Sequence, residues 1–132
     1  MTCFVFTSIS LSGSVFAASE TIEWQDSQIH PGKKISINFD KLVIDVKYNL
    51  KCSLASNDVM HKGKDDIKVI TNGKAQVFVN GIDTESNNGY VTIMYPLNTL
   101  RAANITKDSI ISIYNLDPFD VINIHRCTAI SA

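Results

Sequence analysis

No run of like charge marks this chain. Its 12 Lys and Arg stand against 13 Asp and Glu, for a net charge of -1. The nearest thing to a basic cluster, Lys62 and Lys64, is followed at once by Asp65 and Asp66. Proteins that hold nucleic acid or an anionic membrane by electrostatics need clustered Lys and Arg, so neither is an expected partner. Helical periodicity is also missing: no stretch spaces its apolar residues three and four apart over several turns. Asn98 to Asn104 is the one candidate for a short helical turn. There is no Gly-x-Ser-x-Gly elbow, no H-x-x-x-H or H-x-H pair, and no Asp-x-Asp-x-Asp-Gly calcium loop. No catalytic residue, metal ligand or cofactor is therefore assigned.

What the chain does have begins with an apolar leader. Residues 1–17 carry no charged side chain, and Phe4, Val5, Phe6, Ile9, Leu11, Val15 and Phe16 are separated by small residues. Val15-Phe16-Ala17 offers small side chains where a signal peptidase reads, and polar sequence starts at Ser19-Glu20. This is the anatomy of a secretory signal peptide, although no Lys or Arg precedes the apolar stretch. The expectation is a signal peptide over 1–17, a mature N-terminus at Ala18, a single domain over 18–132, and no transmembrane anchor in the mature chain. Cys3 would leave with the leader. That leaves Cys52 and Cys127, an even number in an oxidising compartment, which reads as one disulfide.

The whole chain is 45% hydrophobic and 19% charged, an ordinary globular balance. Its clearest pattern runs from Leu42 to Leu54, where the even positions are apolar and the odd ones polar except Val43. Period-two alternation is the mark of a strand with one buried and one wet face, and it turns Cys52 inward. Ile35, Ile37 and Phe39 alternate in the same way. Ile67 to Ile70 and Ala75 to Val79 flank Thr71-Asn72-Gly73-Lys74, which reads as a hairpin about an Asn-Gly turn. Tyr90 to Tyr95, Ser109 to Leu116 and Phe119 to Ile130 complete the strands. In the last of these, Phe119, Val121, Asn123, His125 and Cys127 share one face, unless a bulge near Ile122-Asn123 switches it. Seven or eight strands without helices predict a single antiparallel β-sandwich.

Tyr48-x-Leu50-x-Cys52, with a second cysteine on a late strand, loosely resembles an immunoglobulin-like sandwich. The resemblance implies architecture only. No Trp follows Cys52, since the single Trp is Trp24, and His125 stands two residues before Cys127 where that family carries a tyrosine.

Few residues stand out for function. Trp24 lies in a polar segment and either staples an edge strand or joins His61, Lys62 and Lys64 as a candidate recognition surface. His125, near Cys127, is the candidate functional histidine. Residue usage rich in Ile, Asn and Lys fits many bacteria. The first functional expectation is an exported protein, periplasmic or secreted, that binds an unknown protein or surface component without catalysis. The alternative is a carrier or sensor for a small ligand, lipid or metal. The third reading is a secreted hydrolase, which would need His125 beside an acid and a hydroxyl in one cleft, or a protease inhibitor using the polar loop Ser56 to Asp66.

Overall fold

The computed structural model describes residues 21–57 and 64–132. The leader, its cleavage point, and His61 and Lys62 lie outside the described residues. The described chain is all β: β1 (Thr21–Trp24), β2 (Ser27–Ile29), β3 (Lys34–Asn38), β4 (Tyr48–Ser56), β5 (Lys64–Thr71), β6 (Gln76–Val79), β7 (Ile82–Asp83), β8 (Tyr90–Met94), β9 (Leu97–Ile105), β10 (Ile110–Asn115) and β11 (Ile122–Ser131). A larger sheet runs β1-β11-β4-β9-β6-β7, with β2 also paired to β11, and a smaller sheet runs β3-β10-β5-β8. Every pairing is antiparallel. No helix among the described residues is long and apolar enough to cross a membrane.

The two sheets pack face to face on the apolar sides that alternation supplies. Tyr48, Leu50, Cys52 and Leu54 of β4 meet side chains such as Ile67 and Val69 of β5 and Ile111 and Ile113 of β10, all buried. Phe39 and Leu42 close one end of this core. Burying large aliphatic side chains contributes about 1.5–3 kcal/mol each, so this two-layer contact is the main source of stability. β1, β2 and β7, each four residues or fewer, add to the seven or eight expected strands.

Four sequence expectations need correction. The Leu42–Leu54 strand begins only at Tyr48. Before it, Leu42 N–H bonds Phe39 O and Val46 N–H bonds Val43 O, forming turns, and Asp45 sits at φ 63°. Ile44, predicted to face the core, is 67% exposed. The β5–β6 connection is not a hairpin, because Asn72-Gly73 carries the chain from the smaller sheet to the larger one. Asn72 is pinned there instead: its Oδ1 accepts from Ile110 N–H at 2.6 Å and its amide donates to Asp108 O at 3.1 Å. The tight hairpin is β6–β7, turning at Asn80-Gly81 with φ of 50° and 81°, the left-handed pair that an Asn-Gly turn favours. Asn98 to Asn104 lies within strand β9, where Asn98 is buried and a bulge before Ile105 puts Asn104 at φ 59°.

The fourth correction concerns β11. Its bulge lies at Arg126, where register slips between His125 and Thr128 and φ reaches 53°. One extra residue resets the alternation. Ile122 and Ile124 point inward before the bulge, Cys127 and Ala129 after it, and His125 faces outward. His125 and Cys127 therefore do not share a face. The Cys52–Cys127 disulfide forms, with Cα atoms 4.1 Å apart and a sequence separation of 75. It joins neighbouring strands β4 and β11 of the larger sheet rather than spanning the two sheets.

Candidate functional site

The bulge builds the site. β1 and β2 both pair with β11, Trp24 opposite Cys127 and Ser27 opposite Ile124, and the break between them is Gln25-Asp26. That break faces the bulge. A bulge leaves its extra residue without a ladder partner, and an unpaired backbone N–H is costly. Asp26 supplies the partner: its Oδ1 accepts Arg126 N–H at 3.1 Å, and its Oδ2 lies 3.0 Å from His125 Nδ1. The hydrogen bond from His125, then that from Arg126 N–H, holds the exposed Asp26 carboxyl below its ordinary value. His125 is thereby fixed in orientation on the outer face of the larger sheet.

Ser53 is the cross-strand neighbour of His125 on β4. Asp26, Ser53, Leu97, His125 and Arg126 line one shallow cleft of about 290 Å³. The acid, the histidine and the hydroxyl that a hydrolase would need thus share a cleft. The backbone around them is otherwise committed. Ser53 is paired with Thr99 on one side and His125 on the other, and Arg126 N–H goes to Asp26. An oxyanion needs N–H donors free to turn toward it, and these are engaged.

Beside the cleft, β8 leaves the smaller sheet and β9 enters the larger one through Tyr95-Pro96. Asn98 fastens this corner: its amide donates to Met94 O at 2.6 Å, and its Oδ1 accepts from Met94 N–H at 2.9 Å and from the Asn80 amide at 2.6 Å. The result displays apolar side chains to water, Met94 at 49%, Tyr95 at 47% and Leu97 at 65% exposure.

The other sequence candidates are dispersed. Trp24 sits at the edge where the two sheets meet, its ring edge-on to Phe39 at 5.3 Å and its Nε1–H donating to Asn38 O at 3.2 Å. Lys41 Nζ lies 5.4 Å from its centroid. Those contacts tie β1 of the larger sheet to the end of β3 of the smaller one. Lys64 opens β5 opposite Met94, far in the fold from Trp24, and the structure does not bring these two together.

Sequence reasoning missed Asp26, Ser53 and, above all, Asp65. Asp65 reads as a loop residue beside Lys64 and Asp66. It belongs to β5, opposite Ile93, and is only 2% exposed. Ser56 Oγ–H donates to its Oδ2, while its Oδ1 is buried without a hydrogen-bond partner. Burial, reinforced by Asp120 and Asp117 and opposed by the Ser56 hydroxyl, pushes the Asp65 carboxyl up to about 7. The one signal in the sequence is that Asp65 shares the alternating parity of Ile67 and Val69, the core-facing positions that follow it. No family model matches this chain, and comparison with curated proteins and with solved structures gives no match either.

Proposed function

We propose that this chain is an exported β-sandwich that acts by binding another protein, with the β8–β9 corner and the adjoining His125 cleft as its recognition surface. One observation carries the reading: exposed Met94, Tyr95 and Leu97 flank Pro96 at one corner, and Leu97 lines the cleft that holds the fixed polar group of His125, Asp26 and Arg126. Protein interfaces are enriched in Tyr, Met and Arg, with an apolar centre and a polar rim. Asn98 holds the corner before any partner arrives, which lowers the ordering cost of association. The Cys52–Cys127 bridge is compatible with an oxidising compartment.

Two other readings are weaker on physical grounds. A carrier holding its ligand between the sheets would need enclosed space there. In the described residues buried side chains fill most of that layer, which opens at the β1–β3 edge into a cleft of about 380 Å³ lined by Trp24, Ile35, Ile37 and Ile124. A hydrolase is favoured by the Asp26–His125–Ser53 grouping and opposed by the engaged N–H groups around Ser53. A photo-crosslinking residue at position 97, placed in the protein in its native host, tests the proposal against the same residue at exposed position 110 on the smaller sheet. The expected result is a discrete crosslinked protein from position 97 alone, lost on Tyr95→Ser or Met94→Asp. Equal crosslinking from both positions, or labelling of Ser53 by a fluorophosphonate that His125→Ala abolishes, would overturn it.

A further inference from the structure

The link between β10 and β11, residues 116–121, folds back against the head of β5. Leu116 N–H bonds Asp66 O at 3.0 Å, and Asn115, buried at the end of β10, donates to Ile29 O at 2.9 Å and Asp120 O at 2.7 Å. These bonds bring Asp117 and Asp120 to Asp65. One carboxylate oxygen from each of the three lies within 4.8 Å of the others. Asp65 and Asp120 are buried and Asp117 is half-exposed, open to solvent on one side.

Carboxylates gathered this closely repel, and the low dielectric of a buried site strengthens the repulsion. The second observation is Asp65 itself. Its side chain is 98% removed from solvent, as its 2% exposure shows, and Oδ1 has no donor although Ser56 satisfies Oδ2. A buried polar atom left without a partner costs about 1–3 kcal/mol, more when charged, so its retention needs a compensating group. We propose that Asp65, Asp117 and Asp120 form a binding site for calcium, which takes the unpartnered Asp65 oxygen as a ligand and pins the β10–β11 link to β5.

The chemistry selects the ion. The donors are all oxygen, which suits a hard cation rather than zinc or copper. Calcium–oxygen distances of about 2.3–2.6 Å allow ligand oxygens on one ion to stand up to about 5 Å apart, which accommodates the observed spread. Magnesium, at about 2.0–2.1 Å and near-ideal octahedral geometry, sets a tighter limit of about 4.2 Å. The half-exposed Asp117 provides an entry path and leaves room for water to complete the shell.

The test uses the full chain after chelator treatment, titrated with calcium chloride by calorimetry and followed in parallel by thermal unfolding. One calcium per chain should bind, and Tm should rise with calcium concentration because the ion binds the folded state. Asp120→Asn should weaken binding by about tenfold or more, and Asp117→Asn, at the half-exposed position, serves as the variant that keeps its fold if the buried one does not. Asp26→Asn should leave calcium binding unchanged. The proposal is overturned if the folded wild-type chain shows neither heat nor Tm shift up to about 10 mM calcium, above the weakest physiological sites. An equal shift with magnesium, or one that survives in both Asp117→Asn and Asp120→Asn, also overturns it.

Discussion

Asp26 and Asp65 carry the same carboxyl group in opposite settings. Asp26 hangs on the outer edge of the larger sheet, exposed, with each oxygen paired to a group that the β11 bulge presents. Asp65 sits at the head of β5 in the smaller sheet, buried, with one oxygen paired and one not. The larger sheet also holds the disulfide, so its neighbouring strands β4 and β11 are joined covalently as well as by the ladder. The end of the smaller sheet around Asp65 relies on polar side chains, Ser56 and Asn115, that reach across from strand ends. The difference shows how this fold divides its labour. Solvent-facing polar groups tolerate change because water can replace a lost partner, whereas interior ones depend on every donor being in place.

Four measurements break or sharpen that contrast. The largest effect should come from the larger sheet: replacing Cys52 and Cys127 together by Ala should cost about 2–5 kcal/mol in denaturant unfolding. The far-UV spectrum should keep its β signature, since the ladder between β4 and β11 does not depend on the sulfurs. Next comes Asn115→Ala, which removes donors to Ile29 O and Asp120 O and the acceptor for Asp117 N–H. Leaving these interior groups unsatisfied should cost about 2–3 kcal/mol, read as a fall in denaturation midpoint at unchanged m-value. Ser56→Ala follows. Loss of the hydroxyl leaves Asp65 with neither oxygen satisfied by it and should cost about 1–3 kcal/mol in calcium-free buffer. The contrast with Asp26 collapses if that substitution is neutral.

The smallest effect belongs to Asp26, and it depends on pH. The His125 hydrogen bond, with that of Arg126 N–H, lowers the Asp26 pKa in the folded state. The stabilisation is complete above the unfolded value, near pH 4, and is lost as pH falls through the depressed folded value. Asp26→Asn should therefore flatten the acid limb of a stability–pH curve below about pH 4 and leave Tm near neutrality little changed, because exposed pairs are weak. A large Tm loss at pH 7 would show that the bulge depends on this carboxylate for its existence.

Much of the architecture was legible in the residues. Tyr48, Leu50, Cys52 and Leu54 alternate with polar neighbours and fill the core as the pattern predicts, and parity alone paired Cys52 with Cys127. Period two reports that a segment has two unlike faces, however, and not which sheet receives it. Ile67–Ile70 and Ala75–Val79 look like partners across Asn72-Gly73, yet they enter opposite sheets. Leu42 to Val46 alternates without any neighbouring strand to complete a ladder. The candidate site was less legible for a related reason. His125 was identifiable as unusual, but its orientation follows from one extra residue at Arg126, and its partner Asp26 lies 99 positions away in the chain. Asp65 was invisible as an interior group because its neighbours there, Ser56 and the carboxylates of the 116–121 link, meet it only through the fold.

The larger sheet has one further consequence, for the order in which the molecule can assemble. Its strand β11 lies between β1 on one side and β4 on the other, and it also pairs β2. β1 and β2 therefore find their neighbour, and β4 its second neighbour after β9, only when the last strand of the described chain has been made. A nascent chain that has emerged as far as β10 can complete the smaller sheet, whose members β3, β5, β8 and β10 are all available by then. Across the gap, β1 and β4 would wait with open edges. Such long-range pairing slows folding and leaves edges exposed to non-native partners in the meantime. The larger sheet of this chain is thus completed only after the smaller one can form, and ribosome-stalled chains that expose β10 but not Ile122–Ser131 should show protected amides in β5 and β10 well before any in β1.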